Sequence, residues 1–325
     1  MGIMPAVGPE AFGARVRQPE SERRRHMPEA FEIEGGILRR YRGDEAHVVI
    51  PAGVTRIGES AFEGCEALAS VDIPGSVTEI GDEAFRCCHA LASVSIPEGV
   101  ARIGEAAFAG CWSLASVDIP SSVTEIGDGA FRCCNTLASV AIPDGVTEIG
   151  SETFSGCDAL ASVSIPESVT RIGDWAFDSC YALASVSIPE GVTEIGHDAF
   201  AWCETLTSIS VPEGVTAIRY GVFMGCTGLT TISIPEGVTE IGECAFWGCT
   251  SLASFSIPEG VTEIGEDAFQ SCKALASVFV PESVIAIGEN AFGFPPLTVA
   301  CSEDSYAHRY CKYRDIPTKP KLIWP

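Results

Sequence analysis

The sequence predicts a solenoid, a mainly β chain wound into eleven coils of 23 residues each with a cap at either end. Three periodicities support this fold class. Phenylalanine recurs every 23 residues from Phe62 to Phe292, cysteine follows the first ten of these phenylalanines by three residues, and proline keeps the same period from Pro51 to Pro281. A fixed period of this length, kept without insertions, is typical of stacked repeats in which each unit contacts only its neighbours.

Each unit contains two short extended segments and one corner. Val94 and Ile96 alternate with serines, which is the pattern of a strand with one buried face. Pro97 ends that strand because it has no backbone N–H to donate. Residues 100–103 form a second extended segment, and residues 105–108 have the composition of one helical or 3₁₀ turn. We therefore expect one inward face per coil, made of its Val, Ile, Ala, Phe, Cys and Leu positions.

A single coil buries too little apolar surface to offset the conformational entropy of its 23 residues, so its stability must come from stacking. The two end coils need caps, because they would otherwise expose the core and the strand edges. We predict a disordered segment at residues 1–28, an N-terminal cap at 29–53, the solenoid at 54–298, and a C-terminal cap with a tail at 299–325.

The repeat motifs are similar to those of a known family. The L-x-x-V-x-I-P strand, the V-T-x-I-G turn and the A-F-x-x-C segment resemble the BspA-type, or treponemal-type, leucine-rich repeats over residues 30–320. The segments 31–38 and 48–51 resemble the family's N-terminal cap, and 305–310 with 316–317 its closing segment, although Cys311 replaces an alanine and Asp304 a glycine. The resemblance implies a right-handed leucine-rich solenoid used for protein–protein contact. Many family members are surface or secreted proteins of bacteria and protists, often adhesins.

The charge of the chain is concentrated in the repeats. The formal net charge is −24, and residues 47–300 hold 33 acidic but only 7 basic side chains. Such a surface repels polyanions, which excludes nucleic acid and anionic membranes as main partners. No apolar run approaches the length of about 18 residues that a membrane helix needs, so we expect no membrane insertion. The acidic field favours a basic protein partner; the alternative is that it serves only solubility.

The fifteen cysteines invite a disulfide or metal interpretation, which their spacing opposes. The chain has no C-x-x-C motif, and its histidines share no ligand spacing, so we predict no metal and no cofactor. A pairing of Cys301 with Cys311 inside the cap is the open alternative. Ten cysteines are predicted to form an inward-facing structural ladder: Cys65, Cys88, Cys111, Cys134, Cys157, Cys180, Cys203, Cys226, Cys249 and Cys272.

Thiol-rich cores suit a reducing compartment, and residues 1–30 lack the apolar stretch of a secretory signal. These observations predict a cytoplasmic protein. The alternative, a surface or secreted location, is the one that the family resemblance implies.

No catalytic motif is present, so the sequence predicts a protein that is not an enzyme. The informative residues are those that break the repeat. Large side chains replace small or charged ones around the corner that runs from phenylalanine to cysteine. These are the candidate partner contacts: Trp112, Trp175, Tyr181, Trp202, Tyr220, Met224 and Trp247. The alternative is that they fill gaps between neighbouring corners.

The sequence therefore favours a non-enzymatic scaffold that presents an acidic solenoid, through these aromatic residues or through its small polar strand face, to a protein partner. Two further interpretations are open: a self-assembling structural protein, and a cell-surface adhesin that binds host protein or glycan.

Overall fold

The predicted solenoid is confirmed by a computed structural model, which describes residues 30–293 and 297–320. The chain winds into about twelve turns of about 23 residues, with almost no helix. A turn with Tyr41 in the place of phenylalanine, followed by the strand His47–Val49, precedes the eleven repeated phenylalanines. The segment 1–28, predicted to be disordered, lies outside the described residues.

Two parallel β-sheets run along the solenoid, one on each side of the corner. Each coil gives a strand to both, except that residues 185–187 form no strand. Coils pair in register, so that Val94 lies beside Val117 and Ile80 beside Ile103. The short-strand sheet contains Arg56–Ile57, Glu79–Ile80, Arg102–Ile103, Glu125–Ile126, Glu148–Ile149, Arg171–Ile172, Glu194–Ile195, Ala217–Ile218, Glu240–Ile241, Glu263–Ile264 and Ala286–Ile287. The long-strand sheet contains His47–Val49, Ser70–Asp72, Ser93–Ser95, Ser116–Asp118, Ser139–Ala141, Ser162–Ser164, Ser208–Ser210, Thr231–Ser233, Ser254–Ser256, Ser277–Phe279, Thr298–Ala300 and Thr318–Lys319.

The core is one continuous column, and the repeated phenylalanines run through it as a stack. Neighbouring rings from Phe62 to Phe292 lie 4.9–6.0 Å apart between centroids and within 2–19° of parallel. Tyr41 closes the stack at one end, 5.1 Å from Phe62, and Tyr310 closes it at the other, 6.0 Å from Phe292. Offset stacking of this kind adds to the free energy that burial of the rings provides.

The corner before each cysteine is not the helical or 3₁₀ turn that its composition predicts. It is a pair of hydrogen-bonded turns, because two backbone positions per coil are left-handed, and a left-handed residue interrupts a right-handed helix. The first left-handed row lies two residues before each phenylalanine, with φ of 49–61°: Ser60, Glu83, Ala106, Gly129, Glu152, Trp175, Asp198, Gly221, Cys244, Asp267 and Asn290. The second lies one residue before each ladder cysteine, with φ of 56–74°: Gly64, Cys87, Gly110, Cys133, Gly156, Ser179, Trp202, Gly225, Gly248 and Ser271.

Close approach of neighbouring coils explains the glycine that follows the isoleucine of each short strand. A Cβ added at any of these glycines would come within 3.0 Å of an atom of the preceding coil, closer than real Cβ atoms pack: Gly58, Gly81, Gly104, Gly127, Gly150, Gly173, Gly196, Gly242, Gly265 and Gly288. The exception is Arg219, and the short-strand sheet is interrupted between Glu194–Ile195 and Ala217–Ile218, where this arginine follows.

The short-strand sheet has a second interruption, between Glu125–Ile126 and Glu148–Ile149. Both interruptions precede a coil in which a β-branched residue replaces the buried alanine before the phenylalanine. Thr153 stands there in one coil and Val222 in the other, and both are buried. Their extra volume holds each coil away from the preceding one, because a close-packed core has no space to absorb added atoms.

A cap closes each end of the column. At the N-terminal end β1 (Phe31–Glu34) and β2 (Ile37–Tyr41) form a hairpin whose turn is the left-handed pair at residues 35 and 36. At the C-terminal end α1 (Tyr306–Tyr313) begins at the N-cap Ser305, which accepts a hydrogen bond from the backbone N–H of His308. Asp304 adopts φ +64°, the left-handed conformation for which glycine is best suited.

Candidate partner-binding surface

The seven candidate partner contacts fall into two groups. Trp112, Trp175, Tyr181 and Tyr220 are 39–52% exposed, whereas Trp202, Met224 and Trp247 are half-buried. Six of the seven lie on the outer corner of the coils that span residues 174–250, which we call the aromatic corner. Trp112 lies apart from them, in an earlier coil, where its indole stacks on the His89 ring at 3.8 Å between centroids.

The half-buried members of the aromatic corner pack on one another. The rings of Trp202 and Trp247 meet edge to face at 6.1 Å, and the Trp247 indole N–H donates to the Gln270 side-chain oxygen at 3.0 Å. Trp202 covers the space above Gly225, because a Cβ added there would lie within 3.0 Å of the indole. These two tryptophans thus pack on the neighbouring coils with part of each ring still exposed, while the other four aromatic candidates are 39–52% exposed.

In the first left-handed row, a charged side chain covers a glycine of the next coil in the same way. Asp198 lies above Gly221, where an added Cβ would overlap its Oδ1 atom. Asp198 is 5% exposed, and its Oδ1 has no hydrogen-bond partner among the described residues. A buried acceptor left without a donor costs free energy, and more when it carries charge.

The environment of Asp198 disfavours its ionised form. Burial, followed by the negative charge of Asp178, raises the pKa of Asp198 to about 6, although His197 and the Trp175 side chain act in the opposite direction. Burial also raises the pKa of Asp178, which hydrogen bonds to Ser179 only partly offset. The fold therefore disfavours the ionised form of two neighbouring carboxyl groups of the corner.

This raised pKa predicts a pH-dependent stability. A carboxyl group whose pKa is higher in the folded chain stabilises the fold at low pH, and that contribution is lost as pH rises through about 6. Asp198→Asn should therefore be more stable than the native chain by about 2 kcal/mol at pH 8. The gain should vanish at pH 4, where the native carboxyl is protonated. Urea unfolding of both proteins at the two pH values measures it, and a pH-independent difference would contradict the prediction.

The ten ladder cysteines form one row along the solenoid, eight of them buried and Cys65 and Cys272 half-buried. From Cys88 to Cys272, each thiol donates to the carbonyl oxygen of the phenylalanine in the preceding coil at 3.1–3.4 Å. The same carbonyl accepts the backbone N–H of the cysteine in its own coil. The thiol therefore satisfies a second lone pair of a buried carbonyl and ties two coils together.

All fifteen cysteines of the chain are free, so Cys301 and Cys311 are not joined. Burial raises the pKa of Cys111, Cys157 and Cys226 to about 12, which leaves almost no thiolate at neutral pH. Brief alkylation of the native protein at pH 8 should therefore modify the half-buried Cys87, Cys133 and Cys244 and spare the buried thiols. Peptide mass spectrometry reads the sites. Labelling of the buried thiols in native protein at the rate seen in urea would contradict the structure.

Among the depressions on the surface outside the aromatic corner, two involve residues that the sequence singled out. The larger, about 500 Å³, lies beside Trp112 and is flanked by Arg86 and Arg132, both of which pair with neighbouring glutamates. The smaller, about 390 Å³, lies on the predicted small polar face, between Ser185 and Ser233. In that coil residues 185–187 do not pair in the long-strand sheet.

Asp198 and Asp267 were not among the candidates from sequence, because neither residue interrupts a repeat motif. A signal is available for Asp198 alone, because Asp267 is followed 23 positions later by Asn290. Cys87, Cys133, Asp198 and Trp202 are each followed at that spacing by a glycine in the next coil. In each case the side chain leans over that glycine. A large residue followed one repeat later by glycine thus marks a side chain that covers the neighbouring coil.

Within residues 30–293 and 297–320, no three His, Cys, Asp or Glu side chains come together in a way that fits a metal ion. The described part of the chain likewise contains no helix of the length and hydropathy needed to cross a membrane. The fold is therefore that of a solenoid repeat protein, and the seven candidate partner contacts lie at its surface.

The sequence matches the family described as BspA type leucine rich repeat region, in six copies that include residues 45–160, 124–249 and 193–299. The chain belongs to this family of repeat proteins. Its fold is shared by a leucine rich cell surface protein from Faecalibacterium prausnitzii, which is 31% identical with a TM-score of 0.55, over 89% of this chain and 96% of that one.

Two other solved structures are similar in fold. A leucine-rich repeat protein from Eubacterium ventriosum is 23% identical with a TM-score of 0.51, over 80% of this chain and 90% of that one. The pneumococcal vaccine antigen PcpA is 17% identical with a TM-score of 0.59, over 89% of this chain and 94% of that one. No curated protein matches the chain.

Proposed function

We propose that the protein is a non-enzymatic scaffold for protein–protein interaction, and that its aromatic corner contacts the partner. The supporting observation is the exposure of Trp175, Tyr181 and Tyr220 on coils whose backbones are fixed to one another by hydrogen bonds. Rigid exposed aromatics lose little conformational entropy on binding, which makes them effective anchors. The acidic repeats around them steer a basic partner to the surface.

The test combines partner capture with a stability measurement. Trp175→Ala with Tyr181→Ala should reduce the partner captured from native lysate by immobilised protein. The melting temperature should change little, because both residues are about two-fifths exposed and lie outside the buried column. The matched control is Tyr313→Ala, which removes a more exposed aromatic from α1 at the far end of the solenoid. Capture that is equal in all three proteins would reject the aromatic corner as the binding surface.

A second candidate function, adhesion at the cell surface, is favoured by the family relative from Faecalibacterium prausnitzii, which is described as a cell surface protein. A cytoplasmic location is favoured instead by the row of buried free thiols. Labelling of intact cells with a membrane-impermeant reagent distinguishes the two locations. Self-assembly, the remaining alternative, predicts a mass that increases with concentration in light scattering.

A further inference from the structure

Resting on the proposed function, we infer that the aromatic corner recognises a partner segment in which a basic side chain stands next to an apolar one. The corner is divided into an acidic half and an apolar half. The acidic half contains Asp198 and, one coil beyond residues 174–250, Asp267, both in the first left-handed row. The apolar half contains Trp202, Met224 and Trp247. Each half matches one of the two side chains of such a segment.

The acidic half contains two carboxylate oxygens that the chain itself leaves without a donor. Oδ1 of Asp198 and Oδ1 of Asp267 are both buried and both lack a hydrogen bond, and Asp198 as a whole is 95% buried. Few buried polar atoms of native proteins are left unpaired, so two in one row within four coils indicate a missing cationic or donor group. The half-buried Cys244 lies between them in the same row.

The local charge is not compensated from within the chain. Residues 174–270 contain fourteen acidic side chains and a single basic one, Arg219, which is engaged with Glu194 at 2.9 Å. Glu240 and Glu263 lie directly beside each other in register, an arrangement of like charges that destabilises a sheet. By contrast, the earlier coils alternate the signs, with Arg102 between Glu79 and Glu125. The later coils therefore have the greater need of positive charge from outside.

The apolar half lies next to the acidic half across a single turn. The backbone N–H of Trp247 donates to the carbonyl of Cys244 at 2.9 Å, and that of Ala201 to the carbonyl of Asp198 at 3.0 Å. These bonds place the row that follows phenylalanine beside the first left-handed row. A basic side chain and an apolar neighbour on one segment can thus reach both halves at once, and the tryptophans add cation–π attraction for the basic group.

Protonation of Asp198 should control this recognition. The charged groups that act on Asp198 are Asp178 and Asp174 of the preceding coil and His197 of its own coil. The charge of Asp198 acts in turn on Tyr220 and Cys244. Since its pKa is about 6, Asp198 is mostly ionised at pH 7.5 and mostly neutral at pH 5. Affinity for a cationic segment should therefore fall as the pH is lowered between these values.

The probe is a nonapeptide of three Lys-Phe-Lys triplets, compared with Glu-Phe-Glu and Lys-Ser-Lys versions, and binding is measured by calorimetry. At pH 7.5 the native protein should bind the Lys-Phe-Lys probe about tenfold more tightly than the Lys-Ser-Lys probe. It should not bind the Glu-Phe-Glu probe. Absence of binding to the Lys-Phe-Lys probe overturns the inference.

Two matched variants test where the basic side chains of the probe bind. Asp198→Asn with Asp267→Asn should weaken binding of the Lys-Phe-Lys probe about tenfold and reduce its dependence on pH. Glu83→Gln with Glu152→Gln removes the same charge from the same left-handed row in earlier coils, and should change affinity by less than about twofold. Equal losses in the two variants would mean that only the overall field matters, and would overturn the inference.

This outcome is separable from that of the proposed function. Loss of partner capture in the Trp175→Ala, Tyr181→Ala variant together with unaltered probe binding in the Asp198→Asn, Asp267→Asn variant rejects the acidic half alone. Melting curves of each variant, recorded in the same buffers, verify that both proteins are folded. Because each aspartate is replaced by its nearly isosteric amide, we expect no loss of stability.

Discussion

Replacing Phe154 with alanine is expected to lower the free energy of unfolding by about 3–5 kcal/mol, the cost of a large cavity in a packed core. Phe154 is completely buried and stacks between Phe131 and Phe177 at 5.7 and 5.5 Å. Since each coil contacts only its neighbours, a defect in the middle of the column also weakens the coupling of its two ends. Urea unfolding should therefore show an earlier and broader transition than that of the native protein.

The control for this prediction is Tyr313→Ala, because Tyr313 is an aromatic residue that is 84% exposed and outside the column. It should unfold at the same urea concentration as the native protein. A loss below about 1 kcal/mol for Phe154→Ala would show that the coils close around the cavity, and would contradict a rigid continuous stack.

Replacing Gly265 with alanine is expected to cost about 3 kcal/mol, even though it adds only one methyl group. An added Cβ would lie within 3.0 Å of the backbone nitrogen of Glu243 in the preceding coil. Backbone atoms cannot rotate away as a side chain can, so the two coils must separate and lose their ladder hydrogen bonds. Thermal unfolding followed by circular dichroism measures the loss.

Gly75→Ala provides the matched control, since the space around Gly75 is open and its φ is not left-handed. Alanine there should leave the stability unchanged or raise it slightly, because it restricts the unfolded chain. Unchanged stability of Gly265→Ala would contradict the prediction. It would mean that coils can separate locally at little cost, and the interruption of the short-strand sheet before Arg219 would then be a native example of such separation.

The sequence was most informative where each residue type repeats for a local reason. The alternation of Val94 and Ile96 with serine gave the long strand, Pro97 gave its end, and the register of phenylalanine predicted the stacked core. These features depend on side-chain hydrophobicity and on backbone donors, which are properties of single residues. The same period located the cysteine ladder, most of which is buried.

The candidate surface was less accessible to such reasoning. Trp175 and Trp202 both depart from the repeat, yet the first is exposed and the second packs over Gly225. The difference depends on the residue that the next coil places beside each side chain. Asp198 escaped notice for the same reason, because an aspartate in an acidic repeat shows no departure until its neighbour in the stack is known.

The sequence by itself determined the period, the strands, the identity of the buried positions and the acidic character of the coils, because each follows from the composition of one repeat. Only the tertiary structure decided the left-handed corners, the interruptions of the sheet before Thr153 and Val222, and the exposure of each aromatic side chain. These features arise from contacts between residues 23 positions apart in adjacent coils. Such contacts depend on the volume and direction of two side chains together, and the pattern of a single repeat does not contain that information.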